Sequence, residues 1–352
     1  MLKILCCVKQ VPDVDQMRMD PETGNLIRAG VPAILNPQDA NALSAAMKVK
    51  ETYGGEITLI TMGPPNAEAA LRAAAERGAK LVVCRGEVMG QALYRIQENY
   101  PDVHYLLFDD EPHNDDYSAY KTANLVHCVL FQEEQAGYLA GYAAVTEGYT
   151  ALGFVGTREV PGIVRYATGF LQGAEYAAEQ QGLTVDLRTW FAGTYSASDD
   201  TTNRMLDWCN NGTTLLFVNG GNLIASAIDA AKETTSGNEV RVMASDYDQN
   251  DSSDLILGST IKCYNSAVQQ ELYAFFSGNA AWDQAAAGQS EKVGYTTGAV
   301  ALAGPHWRFA ELSQHDYERL YTQLRNSDLK VDAYADMNTL PDTPNVTVEE
   351  EN

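Results

Sequence analysis

The sequence predicts an α/β protein of two lobes, each a doubly wound, mostly parallel sheet. Two observations carry this expectation. Short apolar runs alternate along most of the chain with longer stretches of helical periodicity, the pattern that yields parallel strands joined by crossover helices. The length, 352 residues, is that of two domains or lobes rather than one.

The elements follow in order. Residues 2–10 read as a buried strand, and Arg18 to Arg28 as a hairpin turning at Pro21-Glu22-Thr23-Gly24. Asn36 reads as a helix N-cap with Pro37 in the first helical position; Ala40, Leu43 and Met47 share one face, and Gly54-Gly55 ends the helix. Residues 57–62 form the next strand. Asn66 caps a helix through Ala67, Ala70, Leu71 and Ala74, closed by Gly78. Strand 81–84 precedes a helix marked by Met89, Leu93 and Ile96 that stops at Tyr100-Pro101, and strand 103–108 runs into Asp109-Asp110. Further helices are expected near 133–146, 161–180, 199–210, 222–233, 264–276 and 314–326. The strands between them are 152–156, 184–191, 214–218, 240–245, 255–262 and a last one near 294–302. From Ala333 the chain is acidic and contains proline, so a loosely held tail is expected.

Composition narrows the function. Apolar residues make up 45% and charged residues 20%, an ordinary globular balance, and the net charge is -23. Such a charge opposes nucleic-acid binding, which needs Lys and Arg to neutralise phosphates, and docking to an anionic membrane. No apolar run reaches the roughly 18 residues of a membrane-spanning helix. The opening MLKILCCVKQVPD is too short for a secretory apolar core and lacks a small-residue cleavage site, so a cytoplasmic chain is expected. The six cysteines include no C-x-x-C pair and the five histidines show no ligand spacing, so neither a metal nor a resident cofactor is expected. No nucleophile elbow, Walker loop or post-strand G-x-G-x-x-G is present, so the reading is not an enzyme.

In parallel sheets, ligands sit beyond the carboxyl ends of the strands, which draws attention to Asp109, Thr194, Gly220-Gly221-Asn222, Asp246 and Lys262. From residue 129 the chain reads VLFQEEQAGYLAGYAAVTEGYTALGFVG. VPGIVRYATGFLQGAEYAA, LLFVNGGNLIASAIDAA, VMASDYDQN and GSTIKCY follow in that order. Together these motifs, over about 81–330, resemble the basic-membrane-protein family of substrate-binding proteins. The resemblance implies a type I periplasmic-binding-protein-like fold and capture of a purine nucleoside in a cleft between two lobes, for delivery to an ABC permease. It also implies roles. Asp109 and Asp246 match carboxylates that hold ribose hydroxyls. Tyr166 and Phe170 match the aromatic positions of an Arg-aromatic-x-x-Gly-Phe segment that lines the base. Gly220 and Gly221 match a glycine turn that lets backbone amides approach the sugar, and Lys262 matches the lysine closing a Ser-x-x-Lys strand. Chemistry agrees with this set, because carboxylates accept the paired hydrogen bonds of a diol and an aromatic face suits a purine. Asp248 reads as a loop-orienting residue, and Glu133 and Glu134 as structural residues opening a helix. Residues 155–160, VGTREV, depart from the family's small-residue run, and Arg158 is placed to close over a ligand or obstruct it.

The front differs. CVKQVPD, DPETGNLIR, LNPQDANAL and LITMGPPNAEAALRAAAERGA resemble the opening of an electron-transfer-flavoprotein beta subunit over residues 1–80. That resemblance implies AMP or FAD contacts at Cys7, Asn36, Met62 and Gly63, although the family's later nucleotide-binding segment is absent. The expected organisation is therefore 1–80 as a βαβα segment completing lobe 1, 81–126 as the rest of lobe 1, 127–246 as lobe 2, 247–332 as a return segment shared between the lobes, and 333–352 as the acidic tail. Crossings between lobes are expected near 125–130, near 246–252 and after Lys262. The functional expectation is a nucleoside-binding protein of an ABC importer. The alternatives are a flavoprotein-like nucleotide-binding or flavin-binding electron carrier and an inactive hybrid. The resembled binding family is extracytoplasmic and anchored as lipoproteins.

Overall fold

The computed structural model describes residues 78–351 throughout and, ahead of them, residues 3–8, 10–12, 18–19, 26–27, 33–35, 47–48, 51–52, 54–61 and 67–76. The chain forms two compact units. Unit 1 is Met1–Leu130 with Val268–Lys292; unit 2 is Phe131–Ala267 with Val293–Asn352.

Unit 1 holds a six-stranded sheet and two small antiparallel pairs. Its strands are β1 (Lys3–Val8), β2 (Gln10–Pro12), β3 (Arg18–Met19), β4 (Leu26–Ile27), β5 (Ala33–Leu35), β6 (Glu56–Thr61), β7 (Leu81–Arg85), β8 (His104–Phe108), β9 (Val126–Phe131) and β15 (Ser290–Val293). The order in the large sheet is β1-β6-β7-β8-β9-β15. Its first five strands are parallel, so the flavoprotein-like β1 and β6 extend the same sheet as β7 to β9. β3 and β4 pair antiparallel with Met19 opposite Leu26, and the turn expected at Pro21-Glu22-Thr23-Gly24 lies outside the described residues. Helices α1 (Ala67–Glu76) and α2 (Glu87–Ile96) supply Leu71, Ala74, Met89, Leu93 and Ile96 to a core with Val82, Cys84, Tyr105, Leu107, Val126 and Cys128. These strand residues alternate by two, so they share one face, and His104 and His127 point to the other. On that other face His104 meets Phe275 and His127 meets Trp282.

Strand β9 was not foreseen. Its run, VHCVLF, is short and leads straight into a helix, and periodicity alone cannot separate such a run from a buried helix flank.

Unit 2 holds β10 (Ala151–Gly156), β11 (Val185–Phe191), β12 (Leu215–Asn219), β13 (Arg241–Ala244), β14 (Ile256–Lys262), β16 (Val300–Leu302) and β17 (Val346–Glu351). The order is β16-β14-β13-β12-β10-β11-β17, parallel except for β16. The chain winds outward from β10 to β11 and then reverses to β12, the reversal of a doubly wound sheet. Helices α3 (Glu133–Thr146) and α4 (Pro161–Gln181) pack on one face. On the other, α5 (Asp199–Asn210) and α6 (Leu223–Glu233) contribute Met205, Trp208, Leu223 and Ala227 to a core with Val155, Leu216, Val218 and Val242. Local sequence fixes several helix ends. Pro161 opens α4, Gly182 closes it at φ 66, and Ser198 caps α5 in a reciprocal capping box with Thr201. Helix α7 (Tyr264–Ser277) begins in unit 2 and ends in unit 1, and α8 (Gln314–Arg325) belongs to unit 2.

Three expectations change. The chain crosses between units after Leu130, Ala267 and Lys292, not near 246–252, because the turn after β13 returns directly to its neighbour β14 in the same sheet. The strand expected near 294–302 is broken by a 3-10 turn at Tyr295–Thr297, ended by left-handed Gly298, leaving only β16. The acidic tail ends in an ordered strand: β17 pairs parallel with β11, and Glu349 and Glu351 meet Arg188 and Arg204.

Candidate functional site

The carboxyl ends of the unit 2 strands gather polar residues around the reversal at β10, where ligands of open parallel sheets bind. A run of alternating charges is built there from four segments. Arg165 Nε lies 2.8 Å from Glu133 Oε2, and Lys262 Nζ lies 2.9 Å from Glu133 Oε1 and 3.7 Å from Asp246 Oδ1. Tyr166 donates its hydroxyl hydrogen to Asp246 Oδ1 at 3.0 Å. The Lys262 ammonium also sits 5.5 Å from the centre of the Phe131 ring and 5.4 Å from that of Tyr166, within cation–π range. Glu133 is 1% exposed and Lys262 7%, so these charges are sustained by one another rather than by water. The Asp246 side chain is 17% exposed, the wettest carboxylate of the run.

Backbone geometry holds Asp246 in place. It follows β13 by two residues in the left-handed region, φ 71, which Asp tolerates better than most side chains. Its carbonyl accepts from the Lys262 N–H at 3.0 Å. Asp248 accepts from the Asn250 N–H, the loop-orienting part expected of it.

Glycines bring α3 and α4 together. A Cβ on Gly137 would stand 2.2 Å from the Tyr166 carbonyl oxygen, one on Gly141 2.0 Å from that of Phe170, one on Gly169 2.0 Å from that of Glu134, and one on Gly173 2.0 Å from that of Tyr138. Only bare glycine permits this approach, and it is what carries Arg165 and Tyr166 to Glu133 at the first turn of α3. Burial pushes the neighbouring Glu134 carboxyl above its ordinary value, and its Oε2 has no hydrogen bond among the described residues.

Beside this run lies an unsatisfied polar pair. Thr157, just past β10, is fully buried and its Oγ1 has no partner among the described residues. Asn219, ending β12, is 1% exposed and neither side-chain polar atom is bonded. Such groups cost stability unless something completes them. Gly220 and Gly221 follow at φ 93 and 58; a Cβ would meet Thr157 Oγ1 at 2.9 Å in the first case and the Tyr195 carbonyl oxygen at 2.3 Å in the second.

In unit 1, Asp109 stands one residue past β8, also left-handed at φ 65, with Oδ2 2.5 Å from Arg85 Nε. Next to it, Asp110 Oδ2 pairs with His113 Nε2 at 3.0 Å, and the His113 ring stacks on Tyr117 at 3.8 Å.

Of the expected residues, Tyr166, Asp246 and Lys262 come together, with Gly220 and Gly221 at the neighbouring strand end. Phe170 does not join them. It is wholly buried among Phe154, Phe217 and the sheet, because its place one turn beyond Tyr166 on α4 points it into the core. Arg158 is exposed and Thr194 half-buried. Cys7 lies in β1 opposite Ile60, and Asn36, Met62 and Gly63 fall outside the described residues. Glu133, Arg165, Thr157 and Asn219 were not singled out as ligand-site residues. Recognising β9 as a strand would have marked Glu133 as a post-strand carboxylate.

Residues 38–331 match the Bmp family, described as ABC transporter substrate-binding protein PnrA-like. The chain belongs to the Bmp family. That family is one of ABC transporter substrate-binding proteins. The family match begins at 38, inside the segment that resembles the flavoprotein. The fold is that of two-lobed type I binding proteins. A solute-binding protein of an ABC transporter system from Aeropyrum pernix K1 superposes with a TM-score of 0.64 at 17% identity, over 85% of this chain and 90% of that one. One from Conexibacter woesei gives 0.56 at 18% identity, over 85% and 94%. At the N-terminal end the Bmp protein is 53% identical over 78 residues to the electron transfer flavoprotein subunit beta of Thermoanaerobacterium thermosaccharolyticum, 22% of this chain and 30% of that one. It is 53% identical over 79 residues, 22% and 30%, to subunit CarD of the caffeyl-CoA reductase-Etf complex of Acetobacterium woodii. The chain thus spans about a third of those relatives. Among the described residues, no helix is long and apolar enough to cross a membrane.

Proposed function

We propose that the solute of this Bmp protein is a purine nucleoside, held in unit 2 through Asp246. The carrying observation is the Asp246 carboxylate itself: fixed by Tyr166, flanked by buried Lys262, and still partly exposed at a strand end. A carboxylate so held accepts two hydroxyl hydrogens of a ribose diol without reorganising. Thr157 and Asn219 support the reading as buried, unsatisfied groups at the sheet's reversal that a polar ligand edge would complete.

Calorimetric titration of the full chain with adenosine, guanosine, inosine and free ribose tests this. Saturable one-to-one binding of a nucleoside, lost in Asp246→Ala, supports it. Binding of none of them, or equal binding by Asp246→Ala, sinks it.

The 53% identity of the N-terminal segment to flavoprotein beta subunits favours a second reading, AMP or FAD bound through Cys7, Asn36, Met62 and Gly63. Native mass spectrometry of the purified chain separates the two: a bound nucleoside supports the first, and AMP or a yellow flavin the second.

A further inference from the structure

A second site lies in unit 1. His127 on β9, Glu271 on α7 and Glu291 on β15 each offer one donor atom, and these atoms all lie within 4.8 Å of one another. His127 is 3% exposed and Glu271 7%, while Glu291 faces solvent.

The hydrogen bonds of His127 fix what its ring presents. Nδ1 lies 3.1 Å from the Ala286 carbonyl oxygen and 3.2 Å from that of Gln289. Carbonyls only accept, so Nδ1 carries a hydrogen and donates it. This is the backbone support that metal-bound imidazoles characteristically use to set their tautomer. In the neutral ring Nε2 is then a bare lone pair, and it stands 3.3 Å from Glu271 Oε2. Two lone pairs at that distance need a positive charge between them, either a proton or a metal cation. Glu291 distinguishes these occupants. One proton satisfies the His127–Glu271 pair and gives Glu291 no part, whereas a divalent cation balances both carboxylates at once.

We infer that His127, Glu271 and Glu291 form a binding site for a divalent cation of the zinc type. One imidazole and two carboxylates leave a fourth position for water, the pattern of open zinc sites. Tetrahedral zinc with bonds of about 2.0–2.1 Å spaces its ligands about 3.3–3.4 Å apart, the separation His127 and Glu271 already have. Glu291, exposed, closes the third side by a change of rotamer. The three donors stand on the three stretches of chain that pass from unit 1 to unit 2, which part at Leu130, Ala267 and Lys292. A bound cation therefore ties these stretches together on the unit 1 side. The site does not depend on the identity of the solute.

The test is titration of the chelator-stripped full chain with zinc chloride in excess magnesium, followed by calorimetry and by thermal unfolding. One zinc per chain and a raised melting temperature are expected. Glu291→Gln should weaken zinc at least ten-fold while leaving the metal-free melting temperature unchanged, since that side chain is exposed, and Glu271→Gln should weaken it further. Absence of saturable zinc binding, or zinc bound equally well by both variants, overturns the inference.

Discussion

The Tyr166 hydroxyl donates to Asp246 Oδ1 at 3.0 Å across eighty residues of sequence, joining helix α4 to the turn after β13. Tyr166→Phe should keep the ring in place and free the carboxylate. Nucleoside affinity is expected to fall by about 0.5–1.5 kcal/mol, the net worth of one hydrogen bond. Asp246→Ala is expected to cost more, about 1–3 kcal/mol, because polar partners are left unmet. Calorimetric titration of both variants checks the order; a larger loss from Tyr166→Phe would contradict it.

Lys262 and Glu133 form a buried ion pair, and without Lys262 the Glu133 carboxylate keeps Arg165 as its partner but loses the one at Oε1. Lys262→Met should destabilise the protein by about 1–3 kcal/mol, the cost of leaving a buried polar atom unmet. The double variant Lys262→Met/Glu133→Gln should be more stable than Lys262→Met alone. Urea denaturation of the singles and the double measures the coupling.

The seam between α3 and α4 leaves no space for a methyl group. Gly169→Ala would press its Cβ to 2.0 Å from the Glu134 carbonyl oxygen and force the helices apart. A loss of about 1–3 kcal/mol or more is expected from overpacking alone, with the Arg165–Glu133 contact disturbed as well. Thermal unfolding with and without ligand reports both effects.

His113 gives unit 1 a pH dependence. Burial of its ring works against the charged form, but the Asp110 carboxylate and the Asn114 carbonyl outweigh it and hold the pKa above the ordinary histidine value of 6.5. The stabilisation from this pair is fully present below that ordinary value and is lost as pH rises through the raised one. Thermal midpoints of the parent should fall over that interval, and Asp110→Asn should flatten the fall. Parallel pH profiles for the two proteins would refute the assignment.

The sequence showed most of the fold because its signals are local. Pro161 and Gly182 bound α4, and Ser198 opens α5 at the residues they mark. Asp246 and Lys262 were visible because both stand at strand ends and carry charge. Glu133 was hidden for the opposite reason. Two glutamates opening a helix are well explained by its dipole, and only the approach of α4 reveals that one of them is bonded to Arg165 and Lys262. The His127 cluster was beyond reach, since its donors lie far apart in sequence and meet only when β9, α7 and β15 are assembled. Phe170 shows that a matching motif position does not fix the direction of a ring, since its own packs against Phe154 and Phe217.

Strand β17 occupies the outer margin of the unit 2 sheet, and its last three residues are Glu349, Glu350 and Glu351. An open margin invites another chain to add a strand of its own, and fixed negative charge is one of the means by which natural sheets repel such an addition. Glu349, Glu350 and Glu351 set like charges along that margin, so an acidic strand added there would meet repulsion.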